Sequence, residues 1–213
     1  MRAPLERKLR KRLHKEIAYA QDMIVEVLYQ FFPNCVIHGG TAVWRGFGSN
    51  RFSEDIDLYL EKNAERINAF FEELKRRGFI ILKKRIKENS LFSKVKLGNV
   101  EIRIEAIFKR VKGVIMEYET VDGRTVNVFS LGEERIIKEK VRAYLKRRKV
   151  RDLYDVFFLL RFVKDRSGVE KDIRKLVENF EKPVDEGELR NVIIAGAIPT
   201  AGQILDYIQG WLK

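Results

Sequence analysis

The sequence predicts an α+β protein in two parts, a mixed-sheet lobe with an N-terminal helix over residues 1–130 and a helical domain over residues 131–213. Three observations carry this. Apolar segments of strand length, several alternating with period two, recur between Cys35 and Phe129. Helical periodicity precedes them and interrupts them once. From Leu131 onward only helical patterns remain, and no internal repeat is present.

Taken in order, Leu5, Leu9, Leu13 and Ile17 recur every four residues, followed by Ile24, Val27, Leu28 and Phe31, which predicts one long helix ending at Phe32 before Pro33-Asn34. Cys35–His38 reads as a short buried strand running into Gly39-Gly40. Thr41 opens a short helix to Arg45, Gly46–Asn50 is a loop, and Asp55–Leu60 is the second strand. Asn63 starts a helix with Ile67, Phe70, Phe71 and Leu74 on one face, stopped by Gly78. Strands follow at Phe79–Ile86, Ser90–Leu97 and Val100–Phe108, the last two joined by Gly98-Asn99, and a hairpin of Met116–Thr120 and Thr125–Phe129 turns at Asp122-Gly123. Helices are expected at about 131–147, 150–164, 169–181, 185–195 and 200–212. A two-lobed plan leads one to expect the ligand site in a cleft.

With 213 residues, 35% charged and 45% hydrophobic, the chain can bury a core. The single cysteine, Cys35, forms no internal disulfide. No apolar run is long enough to span a membrane and no signal-peptide pattern opens the chain, so the expectation is a cytoplasmic protein. High Lys, Arg and Glu with few Gln point to a thermophile. The net charge of +12 is concentrated: residues 1–16 carry +5 and residues 138–151 carry +7. That concentration suggests a polyanionic partner, against the plainer reading of two solvated helix faces.

Asp55 and Asp57 stand i, i+2 in a strand, so they project from one face while Ile56, Leu58 and Leu60 face a core. Two carboxylates held side by side repel unless a cation sits between them, which is the arrangement that holds Mg²⁺ against nucleotide phosphates. Gly39-Gly40 permits close approach of a ligand to the backbone, and the Thr41 hydroxyl caps the helix or touches a phosphate. In Val100–Ala106, Glu101, Arg103 and Glu105 share a face. One of these acids completes the metal site or serves as general base, with Glu105 favoured over Glu101; an exposed face of Glu–Arg pairs is the alternative. Lys140, Ala143, Arg147 and Arg151 line one helical face if the helix is continuous. Asp152 and Asp155 open the next helix, where Asp152 either caps it or takes part in phosphoryl chemistry.

Gly39–Arg45 followed by Arg51–Asp57 resembles the signature of the DNA polymerase β-like nucleotidyltransferases, a glycine turn followed by Asp-x-Asp. Lys140–Arg147 and Asp152–Asp155 are similar to the later motifs of the AbiEii/AbiGii (MenT-like) toxin nucleotidyltransferase family. The resemblance implies a polymerase β-like mixed-sheet lobe with Mg²⁺ or Mn²⁺ held by Asp55, Asp57 and Glu105. It further implies a nucleoside triphosphate bound near Gly39, Gly40, Thr41, Arg45, Ser53 and Lys140, with Lys140 and Asp152 in catalytic roles. The acceptor it implies is RNA, in particular the acceptor end of tRNA, and the partner a cognate antitoxin protein. Two departures stand out: Glu105 occupies a place where the superfamily usually has Asp, and the helical half is short. The alternatives are transfer to a small molecule or a protein, which the basic excess disfavours for cationic acceptors, and a catalytically inactive RNA- or partner-binding homologue.

Overall fold

The computed structural model describes residues 5–213, so residues 1–4, including Arg2 of the N-terminal basic run, lie outside the described residues. Where one helix to Phe32 was expected there are two, Leu5–Lys8 (α1) and Arg12–Phe31 (α2). A continuous helix would set like charges three and four residues apart, Arg7 against Arg10 and Lys11 and Lys8 against Lys11 and Arg12, and at the break Lys11 is extended, with φ −82° and ψ 129°. The strict spacing of four also drifts off a 3.6-residue turn, and Leu13 ends 52% exposed. The buried stripe of α2 runs through Ile17, Ala18, Gln21, Ile24, Val25 and Leu28.

Seven strands follow in one sheet: Val36–His38 (β1), Ile56–Leu60 (β2), Ile80–Ile86 (β3), Ser90–Leu97 (β4), Val100–Phe108 (β5), Val114–Glu119 (β6) and Thr125–Ser130 (β7). Between them lie helices Gly39–Arg45 (α3) and Ala64–Arg76 (α4). The strand order β3-β4-β5-β2-β1-β7-β6 combines antiparallel ladders with two parallel ones, β2 beside β5 and β1 beside β7. Alternation is clean on β5, where Val100, Ile102, Ile104 and Ala106 are buried and Glu101, Arg103, Glu105 and Ile107 are exposed. α2 packs on β5, and α4 packs on α2 and β3. Asn63 caps α4 by accepting from the Arg66 N–H at 2.9 Å, and Gly78 leaves it at φ +91°.

The remaining helices are Glu133–Arg147 (α5), Val150–Leu159 (α6), Glu170–Glu178 (α7), Leu189–Val192 (α8) and Ala201–Trp211 (α9), with 3₁₀ turns at Leu160–Phe162, Arg166–Gly168 and Glu186–Glu188. The fold class is therefore α+β with a mixed sheet. Among the described residues no helix is long and apolar enough to cross a membrane.

The chain forms two compact units. The first takes in the chain up to Gly48 and Ser53–Leu131, and so contains the whole sheet. The second joins Gly132–Lys213 to the short segment Ser49–Phe52. That segment enters the second unit through backbone bonds: Phe52 N–H donates to the Val192 carbonyl at 2.7 Å and Ile194 N–H to that of Asn50 at 2.8 Å.

Candidate active site

In the sheet unit, β1 runs directly into α3, whose first residue is Gly39 rather than Thr41. Gly39 has φ +67°, and a Cβ there would fall inside the carboxylate of Asp57. The backbone of the glycine turn is thus the floor on which Asp57 rests. Asp57 sits on β2 between two neighbours in register, His38 on β1 and Glu105 on β5. Residues paired across adjacent strands share a face, so Asp57 and Glu105 are side-by-side acids, about one strand spacing of ~4.8 Å apart at the backbone.

The strand begins at Ile56, one residue later than expected, which leaves Asp55 just ahead of it. Two contacts fix Asp55. Its carbonyl accepts from the buried hydroxyl of Thr41. Its carboxylate receives both arms of the Arg103 guanidinium, Nε at 2.8 Å and Nη2 on the second oxygen. Hydrogen bonding to Asp55, with burial opposing, and the further charges of Asp55, Glu105 and Asp57 raise the Arg103 pKa. The acids and Arg103 therefore form one electrostatic cluster on the exposed face of the sheet. Glu101 lies further along β5 and forms an ion pair with Lys94.

The hydroxyl of Thr41, for which the sequence left helix cap or phosphate contact open, is used to hold Asp55. Ser53 is half-buried, and its carbonyl accepts from Gln21 Nε2 at 2.9 Å. Gly40 is buried within α3. Arg45, expected as a nucleotide ligand, lies in the core. Its side chain is fully buried, donates to the carbonyls of Glu119 and Ala18 and to Asp22 Oδ1 at 2.8–2.9 Å, and stacks between Trp44 and Tyr118. The reason is helical geometry: α3 is buried from Gly40 through Arg45, so a long cation at its end must find partners in the core.

In the second unit, Lys140 and Asp152 belong to a buried ionic cluster. Lys140 Nζ lies 2.6 Å from Asp155 and 3.4 Å from Asp152. Arg147 forks onto Asp152 at 2.7 and 2.9 Å, and Arg51 forks onto Asp155 at 2.6 and 2.8 Å. Burial works against ionisation of Asp152, but Arg147 and Lys140 outweigh it and its pKa is lowered. The capping alternative for Asp152 does not hold: Lys149 is the residue at the N-cap of α6, and the Asp152 carboxylate turns to Arg147 and Lys140. The continuous basic face through Arg151 is also interrupted, because Arg148 takes a left-handed conformation with φ 49° and ends α5. Arg51 is the participant that sequence reading missed. Its place in the Arg51–Asp57 motif was visible, but its pairing across 104 residues was not.

A family model for "Nucleotidyl transferase AbiEii toxin, Type IV TA system" matches residues 24–197, which spans both units. Among solved structures, JHP933 from Helicobacter pylori superposes with a TM-score of 0.66 at 18% identity, covering 95% of this chain and 91% of that one. MenT4, a nucleotidyltransferase toxin from Mycobacterium tuberculosis H37Rv, superposes with a TM-score of 0.65 at 17% identity, covering 92% and 82%. At such identities the superpositions speak for the fold. The sequence comparison with curated proteins gives no match.

Proposed function

Because the chain belongs to the nucleotidyl transferase AbiEii toxin family, we propose that it transfers a nucleoside monophosphate from a nucleoside triphosphate to a hydroxyl of an RNA acceptor, tRNA first among candidates. The observation that carries this reading is the seat of Asp57: a glycine at positive φ whose missing side chain makes room for a carboxylate, with Glu105 beside it in register and Asp55 two residues away. The acceptor oxygen attacks the α-phosphorus, the bond to pyrophosphate breaks, and Glu105 receives the hydroxyl proton. Thr41 and Arg103 act as positioning residues by fixing the two ends of Asp55. Lys140 and Asp152 enter the proposal on their motif alone; within their own unit the Lys140 ammonium is held by Asp155 at 2.6 Å and Asp152 at 3.4 Å.

Asp55 and Asp57, with Glu105 as a third oxygen donor, would hold Mg²⁺ or Mn²⁺. Among the described residues no three acidic, His or Cys side chains are gathered around a single point. The donor chemistry nonetheless fits Mg²⁺, which takes one or two carboxylates and fills its remaining positions with phosphate and water. When bound, such a cation neutralises charge developing on the triphosphate and the leaving pyrophosphate. The net charge of +12 supports a polyanionic acceptor over a cationic small molecule. A cognate antitoxin belongs to the same reading, supported by the type IV toxin–antitoxin description of the family.

The test is incubation with α-³²P-labelled nucleoside triphosphates, Mg²⁺ and total tRNA, comparing wild type with Asp57→Asn. Label is expected in RNA with wild type and at background with the variant. No transfer by wild type to any acceptor, or equal transfer by both proteins, overturns the reading. Co-purification of the chain with the product of an adjacent small reading frame tests the antitoxin.

A further inference from the structure

The hairpin of β3 and β4 carries a charge concentration outside the two basic runs. Residues 80–97 hold six Lys or Arg and one Glu. Strand register decides where those charges point. Asp57 is paired with Glu105, Glu105 with Phe92, and Phe92 with Arg85, so one row crosses β2, β5, β4 and β3 on a single face. In the adjacent row Arg103 is paired with Lys94 and Lys94 with Lys83. The side-chain positions agree: Lys83 Nζ stands 5.4 Å over the centre of the Phe92 ring. Lys84 takes the other face, over the ring of Phe71 on α4. The face that bears Asp57 thus continues without interruption through Glu105 into a half-buried aromatic ring that has Lys83 and Arg85 beside it on β3 and Lys94 next along β4.

We propose that this platform binds the single-stranded end of the RNA acceptor, with a base stacked on Phe92 and the flanking phosphates on Lys83 and Arg85, which delivers the terminal hydroxyl toward Asp57. The inference rests on the nucleotidyl-transfer reading for its direction and on the sheet register for its place. Phe92 is two strand spacings from Asp57, about 10 Å at the backbone, so a base on it lies close to the reacting end. A phenylalanine with Lys83 and Arg85 beside it on β3 has the two elements that hold single strands, since every base has a π-face and every nucleotide a phosphate. The contact between Lys83 and the ring is the weaker competitor and yields to a stacked base, which frees the ammonium for a phosphate.

The two long basic runs are less available than their charge suggests. In residues 138–151, Lys140, Arg147, Arg148 and Lys149 are all drawn into ion pairs with acids of the same unit. In the N-terminal run, Lys8, Arg12 and Lys15 pair with Glu119, Glu16 and Glu6. Among the described residues of the hairpin, Lys94 is the cation that forms a salt bridge, with Glu101.

The experiment measures binding of a fluorescein-labelled single-stranded RNA of about twelve nucleotides by anisotropy, in EDTA and without triphosphate, over a range of salt. The proteins compared are wild type, Phe92→Leu, Lys83→Ala/Arg85→Ala, and Arg142→Ala/Lys146→Ala on α5. Thermal melts establish that each is folded. Phe92→Leu keeps an apolar side chain under the hairpin and removes the ring, so affinity is expected to fall by at least about fivefold. The Lys83/Arg85 double variant is expected to show a salt slope shallower by about 0.7 for each lost phosphate contact. The α5 variant is expected to bind as wild type does. Unchanged affinity in Phe92→Leu, loss confined to the α5 variant, equal affinity for a blunt RNA duplex, or capture of a protein partner through this face with no RNA bound overturns the platform. Asp57→Asn separates the two readings: it is expected to bind RNA and transfer nothing. Transfer to RNA with Phe92→Leu as active as wild type leaves the nucleotidyl-transfer reading standing and removes the platform. RNA binding through Phe92 without transfer by wild type does the reverse.

Discussion

Gly39 and Asp57 are eighteen positions apart in sequence and are the two halves of one contact. Gly39 adopts φ +67°, where an L side chain costs about 1–2 kcal/mol, and its Cβ position is filled by the Asp57 carboxylate. Gly48 adopts φ +71° with nothing within 4 Å of its Cβ position, so it isolates the backbone cost. Gly48→Ala is expected to lose about 1–2 kcal/mol by thermal or urea melts and to keep its transfer activity. Gly39→Ala is expected to lose at least as much stability and also its activity, because Asp57 must move. Equal activities in the two variants would show that the seat of Asp57 does not matter. At this scale the sequence was legible where chemistry and conformation are local, in the glycine turn and in the pair of acids. It was silent where a side chain is committed by tertiary packing. Arg45 stands in the motif like a phosphate ligand, and only the burial of α3 shows that it serves Asp22 and two backbone carbonyls.

Elements placed by periodicity or capping were readable: α4 from Asn63 to its glycine stop, β4 and β5 with their boundaries, the sheet-then-helix order. What could not be read was which strands become neighbours. β2 pairs with β5, with β3 and β4 inserted between them in sequence, and only that parallel ladder puts Glu105 beside Asp57 and Arg103 on Asp55. The α5–α6 pair shows the same limit. Spacing suggested a continuous basic face, whereas the left-handed Arg148 turns the chain so that Lys140 and Arg147 on α5 meet Asp152 on α6. This ion cluster predicts an acid response. The Asp152 pKa is lowered from 3.8, so the folded state binds fewer protons there than the unfolded state does. Its stabilisation is present above the unfolded value and is lost as pH falls through the folded value. Asp152→Asn is therefore expected to melt below wild type at pH 7, by less than the cost of about 3–5 kcal/mol for a fully buried pair, because the Arg147 side chain is 46% exposed and Lys140 keeps Asp155. The gap should narrow below about pH 3.8. A gap that stays constant from neutral to acid pH would mean that the Asp152 charge contributes nothing.

For the whole molecule, the sequence places a single boundary near Ser130, but the chain changes units at three points, because Ser49–Phe52 belongs with the helices. Four residues from the middle of the sheet-forming half thus supply part of the interior of the helical unit. Arg51 is 4% exposed at its side chain and its fork satisfies Asp155, which has no exposure; Asn50 and Phe52 make backbone bonds to the Val192–Ile194 segment. A fragment of residues 132–213 keeps every helix from α5 to α9 and loses this segment. Asp155 is then left with Lys140 as its cation, and removal of one partner from a buried ion pair costs about 3–5 kcal/mol. Domains of modest size have only about 5–15 kcal/mol of total stability, so that loss takes most of what a small helical unit has. The fragment is expected to show helical far-ultraviolet circular dichroism with a broad, shallow melt, while the full chain melts cooperatively. Arg51→Met in the full chain is expected to lower the melting temperature in the same direction. A sharp transition in the isolated fragment, with Arg51→Met melting as wild type does, would show that the helical unit is self-sufficient and that the contribution of Ser49–Phe52 to it is incidental.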